Sequence, residues 1–339
     1  MFISSGILFL QSGLRNVGVG VDTYGYSIDY EETKLISWHE TYYSILDYYI
    51  LGVGKDPGYL VFKKLILIFS DNYNFFLCVV AALFFYSLSK ILLNYLTSIN
   101  ELFLSYIIYV VLFLTFYSFT GTRQVIATSI VFFAFNSLMN RRGWSYFLAI
   151  LLASSIHKSA LIMLPFYLIS QYDRPGRLML FNIMLFPILM FFSEQMMGIL
   201  KVAGGYKEYH SNSSAGTPAF TAIYLMLCFF LLLKSKEILE SQPNSKVFFN
   251  AASVGLVFLP LSWINPSALR LVMYFSIFLV ILVPVVVSSF SIKLAGKEIN
   301  KYYLIILVLI VLYLQSSTAN YDYRFFWQEM KLPDVYLGR

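Results

Sequence analysis

The chain has 339 residues, of which 59% are hydrophobic and only 12% are charged. Soluble domains carry about 25% charged residues, so this composition excludes an ordinary soluble fold and indicates an integral membrane protein. The net charge of +6 is spread over loops without a basic tract, and we therefore expect no nucleic acid partner.

The N-terminal segment "MFISSGILFLQSG" is the first predicted element. It is shorter than the ~20 residues of an ordinary transmembrane helix and lacks the pattern of a signal peptide. We expect a short complete helix or the end of a span that begins upstream of Met1. Residues 14–72 are predicted as an outer-face loop, in which 59–70 forms a short amphipathic helix. Its Lys63 and Lys64 contact lipid headgroups or belong to a solvated helix face.

The later apolar runs predict an all-α, polytopic transmembrane helical bundle that forms one integral membrane domain over residues 1–339. With the N-terminal segment, the chain has about 10–11 hydrophobic segments. The later runs are 73–89, 102–119, 123–139, 144–170, 178–198, 219–233, 247–262, 269–289 and 302–318. The run 144–170 is interrupted at His157, so it is one tilted helix or, as we prefer, two half-helices that meet at the outer face.

Basic residues in the short loops set the expected sidedness, because Lys and Arg concentrate in cytoplasmic loops. The cytoplasmic loops would be those at Lys90, Arg141-Arg142, Arg174 with Arg177, Lys234–Lys246 and Lys293–Lys301. The outer face would receive 14–58, Arg123, His157-Lys158, the loop 199–218, Trp263–Arg270 and the C-terminal tail 319–339. The unusual polar residues therefore collect on one face.

Arg123 occupies the first turn of a predicted helix in "FTGTRQVIATS", residues 119–129. The helix dipole repels a cation there, and a charge near lipid is costly without a partner. With Thr122 or Thr120 as N-cap, free backbone N–H groups and the guanidinium would bind an anion, phosphate above all. The alternative is that Arg123 snorkels to the interface or pairs with a carboxylate.

A second helix start of this kind occurs in "WINPSALRLVMYF". Asn265 is the expected N-cap, Pro266 fits the first helical position, and Arg270 follows within the first turns. The same alternative applies to Arg270. Two outward helix starts that each carry an arginine would suit a diphosphate, and this repetition favours a functional role.

His157 lies among small polar residues in "LLASSIHKSALIMLPF". It is either hydrogen-bonded to a neighbouring helix or a general base, since imidazole has an ordinary pKa of about 6.5. The adjacent Lys158 binds phosphate or, as we favour, snorkels. In "GLRNVGVGVDTYGY", Asp22 activates a hydroxyl or, slightly favoured, pairs with Arg15; without GK[ST] the segment is not a P-loop.

The segment "GGYKEYHSNSSAGTP" is polar and rich in glycine, and it carries Tyr206 and His210. It fits a substrate lid and an ordinary exposed loop equally well. The 19% aromatic content likewise fits membrane-interface belts or sugar-stacking surfaces. Cys78 and Cys228 lie in apolar segments, and three histidines form no Cys/His cluster, so we expect neither metal nor cofactor.

Five segments together resemble the EpsG family, which belongs with the Wzy-type O-antigen and exopolysaccharide polymerases. They are "GLRNVGVGVDTYGY", "KDPGYLVFKKLI", "TGTRQVIATSIVFFAF", "ASSIHKSALIMLPFYL" and "ALRLVMYFSIFLVILVP". The Arg123-Gln124 pair and the run 157–160 are the most specific parts. The N-terminus departs from the pattern, because the family usually has another hydrophobic span before the segment that ends at Arg15.

The resemblance implies a multispanning glycosyltransferase of the GT-C type in the bacterial inner membrane, with its active site facing the periplasm or cell exterior. Such polymerases join a growing glycan, carried on undecaprenyl diphosphate, to a lipid-linked repeat unit at the outer leaflet. The expected partners are these lipid-linked donor and acceptor glycans, membrane lipid and a polysaccharide chain-length regulator. Electrostatic stabilisation by arginines predicts a reaction that needs no metal ion.

The resemblance also implies roles for individual residues. Arg123 and Arg270 would hold the leaving diphosphate, and Arg15 would help to position phosphate or Asp22. His157 or Asp22 would take the proton from the acceptor hydroxyl. The expected substrate contacts are Gln124, Lys158, Tyr206 and His210.

Two other functions compete with this interpretation. A flippase for lipid-linked glycans would also need arginines, but it should show charges along a path through the membrane or inverted repeats. A membrane O-acyltransferase would use His157 as its base, but it leaves the two arginines at helix starts without an explanation.

Overall fold

The computed structural model describes residues 2–204, 217–290, 292–294, 297–299, 301–302, 305–306, 309 and 322–330. It confirms the predicted helical class, with one short antiparallel pair of strands, β1 (Ile292–Leu294) and β2 (Lys297–Ile299). The chain divides into two compact units. Unit 1 comprises Met1–Leu161 with Ile305–Arg339, and unit 2 comprises Ile162–Leu304.

Unit 1 contains eight described α-helices. They are α1 (Phe2–Gly13), α2 (Thr23–Leu35), α3 (Trp38–Leu46), α4 (Pro57–Leu67), α5 (Tyr73–Tyr95), α6 (Ile99–Leu112), α7 (Thr122–Met139) and α8 (Gly143–Ile156). Single π-helical turns cover Asp47–Leu51 and Thr115–Phe119. The segment 14–72, predicted as an outer-face loop, is mostly helical. A reciprocal Ser37–Glu40 capping box starts α3, and Pro57 starts α4.

Unit 2 contains seven described α-helices. They are α9 (Met163–Ile169), α10 (Pro175–Phe191), α11 (Ser193–Gly204), α12 (Pro218–Ser241), α13 (Lys246–Phe258), α14 (Leu269–Ser276) and α15 (Leu279–Ser289). Short 3-10 turns cover Pro243–Ser245, Leu259–Trp263 and Pro266–Ala268. The predicted loop at 199–218 starts later than expected, since α11 continues to Gly204. Tyr206 and His210 lie outside the described residues.

Within the described residues, three helices are long and apolar enough to cross a membrane: Tyr73–Tyr95, Pro218–Ser241 and Pro243–Trp263. The number rises to 5 if two bent pairs each form one span. These pairs bend by 84° between Pro175–Phe191 and Ser193–Leu200, and by 54° between Pro266–Ser276 and Leu279–Ser289. Several apolar helices of the described residues, including α6 and α8, are shorter than a bilayer and are therefore not among these spans.

Aromatic and amide side chains hold the helices of each unit together. In unit 1, the buried ring of Phe84 on α5 stacks on Tyr117 with centroids 5.1 Å apart. In unit 2, Asn250 on α13 donates hydrogen bonds to the carbonyls of Ile169 and Tyr172, both at 3.0 Å. Polar groups among apolar helices need such partners, because lipid offers none.

Candidate functional site

The candidate site lies where α7 begins and α8 ends. These consecutive helices pack together as a hairpin, and this brings Arg123, the second residue of α7, to the same end as His157. The helix interruption predicted at His157 is confirmed: α8 ends at Ile156, His157 is extended (φ −149°, ψ 107°), and a 3-10 turn starts at Lys158.

Helix α4 approaches α8 closely, and this contact brings a third chain segment to the site. A Cβ on Gly58 would lie 2.2 Å from Ser155 Oγ and 2.9 Å from the Ser155 carbonyl carbon. Only glycine permits this approach without a shift of the backbone. Asp56 immediately precedes α4, so the contact fixes its carboxyl group beside the end of α8.

One buried carboxylate gathers the groups from all three segments. Arg123 Nη1 donates a hydrogen bond of 2.6 Å to Asp56 Oδ2, and His157 Nδ1 lies 3.9 Å from the same oxygen. The backbone N–H of Lys158 donates to the other oxygen, Oδ1, at 3.2 Å. Arg123 therefore pairs with a carboxylate, which is the alternative raised from its position in the sequence.

The ion pair is buried on the carboxylate side and open on the guanidinium side. The Asp56 side chain is 4% exposed, whereas the Arg123 side chain is 22% exposed. Arg123 Nε also donates to Tyr26 Oη at 3.4 Å, and its guanidinium carbon lies 5.5 Å and 5.8 Å from the ring centroids of Tyr26 and Tyr59. Arg123 Nη2 makes no hydrogen bond within the described residues, so the guanidinium keeps donors for an anion.

The backbone and the electrostatics at Asp56 both favour an ionised carboxylate in a fixed place. Its backbone is left-handed (φ 50°, ψ 58°), a conformation that is uncommon for residues other than glycine and concentrates at functional sites. Burial alone would raise the pKa of Asp56. The neighbouring His157 imidazole and Arg123 guanidinium outweigh burial and hold this pKa below its ordinary value of 3.8.

The start of α7 differs from the sequence prediction. Neither Thr120 nor Thr122 caps the helix; the N-cap is Gly121, whose φ of 59° is left-handed. Thr120 Oγ1 donates instead to the carbonyls of Thr115 and Phe116 at 3.2 Å and 3.1 Å. The Thr122 hydroxyl is buried and has no hydrogen-bond partner in the part of the chain that the structure describes.

Two predicted substrate contacts adjoin the centre. Gln124 follows Arg123 on α7 and is 1% exposed, so its amide is part of the protein interior. Lys158 is half-buried and contributes its backbone N–H to Asp56, a contact that does not depend on the identity of its side chain.

A second ion pair joins the buried Lys63 of α4 to Asp29 of α2. Lys63 is 3% exposed and its Nζ lies 2.7 Å from Asp29 Oδ1, while Lys64 Nζ donates to the Ile36 carbonyl and lies 5.4 Å from the Trp38 ring centroid. Burial lowers the pKa of Lys63, and the Asp29 carboxylate opposes this shift. Neither predicted role of Lys63 holds, because α2 covers its charge.

Arg15 and Asp22 occupy the segment between α1 and α2. Arg15 is 4% exposed, donates to the Ser12 carbonyl, and pairs through its backbone with Phe325 of the C-terminal segment 322–330. Asp22 stands at the N-cap of α2, where its side chain makes no capping hydrogen bond. The structure thus gives Arg15 a buried place against the C-terminal segment.

Arg270 belongs to unit 2 and the helix start around it follows the prediction. Asn265 Oδ1 accepts a hydrogen bond of 2.8 Å from the Ser267 backbone N–H, and Pro266 opens the 3-10 turn that leads into α14. Arg270 is half-buried in the first turn of α14. The predicted cap is therefore confirmed.

Sequence reasoning missed Asp56 and the aromatic neighbours of Arg123, Tyr26 and Tyr59. In "KDPGYL" the aspartate before a proline is typical of an ordinary helix cap, and nothing in the local pattern links it to residues 67 and 101 positions away. The available signal was the free-energy cost of burying a charged arginine among apolar residues. This cost indicates that an acidic partner exists but does not identify it. In the described part of the chain, no group of three or more His, Cys, Asp or Glu residues could hold a metal ion.

The fold and the site define a class: a helical membrane protein with a cationic centre, a buried carboxylate and a histidine at one end of a helix hairpin. A sequence model of the EpsG family matches residues 1–329, and the chain belongs to that family. This membership indicates a polymerase-like function in exopolysaccharide or O-antigen biosynthesis, consistent with a glycosyltransferase-type polymerase. Neither a curated protein nor a solved structure matches the chain.

Proposed function

We propose that this protein elongates a polysaccharide at the outer leaflet of the bacterial inner membrane. It transfers a growing glycan from undecaprenyl diphosphate to a lipid-linked repeat unit. The observation that carries this proposal is the partly exposed Arg123 guanidinium, which shares a buried carboxylate with His157. Family membership supplies the reaction class, and this centre supplies an anion-binding group beside a proton acceptor.

Arg123 binds the diphosphate of the donor through the N–H groups that Asp56 and Tyr26 do not use. Departure of a lipid diphosphate builds negative charge, and a fixed guanidinium stabilises this charge more in the transition state than in the bound donor. Arg15, which belongs to the same unit as Arg123, is proposed as a further cation for the diphosphate. Arg270 is proposed to bind diphosphate at the start of α14. Charge stabilisation by arginines is the reason for proposing a reaction that needs no metal ion.

His157 takes the proton from the acceptor hydroxyl. The acceptor oxygen forms a bond to the anomeric carbon of the donor sugar, the bond from that carbon to the diphosphate oxygen breaks, and the hydroxyl proton passes to the imidazole. Between the two predicted bases we favour His157 over Asp22, because His157 shares the Asp56 carboxylate with Arg123. A carboxylate beside the ring orients it and stabilises the imidazolium that forms.

The test uses the purified full chain in detergent with a lipid diphosphate-linked repeat unit, with and without chelator. Wild-type protein is expected to produce a ladder of longer glycans in both conditions. Arg123→Lys keeps a positive charge beside Asp56 but loses the guanidinium fork, and it should reduce ladder formation about 100-fold. The control is Arg142→Lys, an exposed arginine at the other end of the α7–α8 hairpin, which should leave the ladder unchanged.

Other outcomes decide against the proposal. No ladder, combined with movement of the lipid-linked unit across a liposome bilayer, would replace the polymerase with a flippase. A ladder that Arg123→Lys leaves undiminished would keep the polymerase and remove Arg123 from its mechanism. A ladder abolished by chelator would show that the reaction needs a metal ion.

A further inference from the structure

We infer that Asp56 is a positioning residue that exchanges partners during the reaction: when the donor diphosphate binds Arg123, the Asp56 carboxylate moves from Arg123 to His157. This inference rests on the proposed function and adds an order of events to it. His157 becomes an effective base after the donor is in place.

The geometry of one oxygen atom makes the exchange short. Asp56 Oδ2 accepts from Arg123 Nη1 at 2.6 Å and lies 3.9 Å from His157 Nδ1. A displacement of about 1 Å would convert the longer distance into a charge-assisted hydrogen bond. Meanwhile Oδ1 stays bound to the Lys158 backbone N–H at 3.2 Å, so the carboxylate can rotate about a fixed contact.

Burial sets the direction of the exchange. Arg123 is 22% exposed and Asp56 only 4%, so an incoming anion reaches the guanidinium while the carboxylate has little access to water. A buried carboxylate whose cation is taken by a competing anion needs another partner. The buried His157 imidazole is a neighbouring group that can supply one, as an N–H donor at Nδ1.

The exchange changes the basicity of His157 because the charge around it changes. Within the described residues, the charged and titratable groups around this centre include Asp56, Arg123, Lys158, Tyr26, Tyr48 and Tyr59, with the Lys63–Asp29 pair beyond Tyr59. Before diphosphate binds, Asp56 and Arg123 neutralise each other. Afterwards the diphosphate adds negative charge and the carboxylate turns towards the ring, and both effects favour a proton on His157. Nδ1–H bound to Asp56 leaves Nε2 as the proton acceptor.

Histidine NMR can follow this exchange directly. The chain has 3 histidines, His39, His157 and His210, so ¹⁵N-histidine labelling of the full chain in detergent micelles gives few signals. The His157 signals are assigned with His157→Gln. Inorganic pyrophosphate should shift the His157 signals and raise the midpoint of their pH titration, while the His39 signals stay in place.

Asp56→Asn separates the exchange from a purely structural role. Without the competing carboxylate, Arg123 should bind pyrophosphate about tenfold more tightly. The His157 signals should no longer respond to pyrophosphate, and kcat should fall about 100-fold without an increase in KM. A residue that only supports the fold would weaken pyrophosphate binding when altered. Glu101→Gln, which alters the buried carboxylate of the α6 capping box in the same unit, is the matched control and should change pyrophosphate affinity by less than about twofold.

The outcomes distinguish the two proposals. If pyrophosphate does not bind, or binds equally to wild type and Arg123→Lys, both the diphosphate role of Arg123 and the exchange are wrong. If binding depends on Arg123 but Asp56→Asn does not tighten it, or the His157 signals still respond in Asp56→Asn, only the exchange is wrong. Tighter pyrophosphate binding by Asp56→Asn, together with His157 signals that no longer respond to pyrophosphate, would support the exchange.

Discussion

The two arginine-bearing helix starts, at Arg123 and at Arg270, look alike in sequence and are built differently. Helix α14 is entered through a side-chain cap, Asn265, and a proline at the first position of the turn. Helix α7 is entered through a left-handed glycine without a side-chain cap, and its arginine is paired with the distant Asp56.

This difference shows that a cation at a helix start can be accommodated in more than one way. At α14 local residues satisfy the helix terminus, and the pattern is visible in a few consecutive positions. At α7 the balancing charge comes from a segment 67 residues away, so the helix start depends on tertiary packing. The predictions below test how far α7 depends on that packing, from the largest expected effect to the smallest.

The largest effect is expected for Arg123→Ala. Removal of the guanidinium leaves the buried Asp56 carboxylate without its cation, which should lower the free energy of unfolding by about 3–5 kcal/mol. Arg270→Ala should cost less, because α14 retains its Asn265 cap. Denaturant titration in mixed micelles measures both, and adding Asp56→Asn to Arg123→Ala should recover most of the loss. Equal losses for the two arginine variants would contradict the comparison.

Acid should weaken the same contact. The pKa of Asp56 is lowered in the folded protein, so its ionised form stabilises the fold above the ordinary value of 3.8 and loses this contribution as pH falls through the lower folded value. Acid should lower the free energy of unfolding less than Arg123→Ala does, because protonated Asp56 is neutral and leaves no buried charge without a partner. The difference in unfolding free energy between wild type and Asp56→Asn should therefore shrink below pH 3.8. A difference that is independent of pH would show that charge is not its cause.

Gly58→Ala tests the close approach that places Asp56. The added methyl group would lie 2.2 Å from Ser155 Oγ, so α4 and α8 must separate, at an expected cost of about 1–3 kcal/mol. Because this separation displaces Asp56 from His157, glycan ladder formation should fall as well. Gly6→Ala on α1 is the control, since nothing lies within 4 Å of its added Cβ. Wild-type activity in Gly58→Ala would show that the spacing of α4 and α8 does not control the site.

The smallest effects concern the caps. Asn265→Ala removes the side-chain acceptor for Ser267 and should cost about 1 kcal/mol. Thr122→Val, at the position that the sequence suggested as a cap, should change stability by less than about 0.5 kcal/mol, since its hydroxyl has no hydrogen-bond partner among the described residues. Thermal unfolding of the two variants in detergent measures both effects. A larger loss of stability in Thr122→Val than in Asn265→Ala would indicate that Thr122 is a helix cap.

Several features of the site could be predicted because they depend on neighbours in the chain. The interruption at His157, the Asn265 cap and the helical class follow from local patterns of polar, proline and apolar residues. Within 14–72 the predicted helix 59–70 is found as α4 (Pro57–Leu67), whereas α2 and α3 were missed, since their short polar segments lack the apolar runs that identified the other helices. The Ser37–Glu40 capping box was available in the sequence as a signal for one of them.

The sequence by itself determined that this is a helical membrane protein and that an arginine and a histidine needed polar surroundings. The tertiary structure decided that Asp56 serves both. The close packing of Gly58 on Ser155 puts that carboxylate at the end of the α7–α8 hairpin. The reason is physical: hydrophobicity and helix signals are read over a few adjacent positions, whereas an ion pair depends on a distance in space that no local pattern specifies.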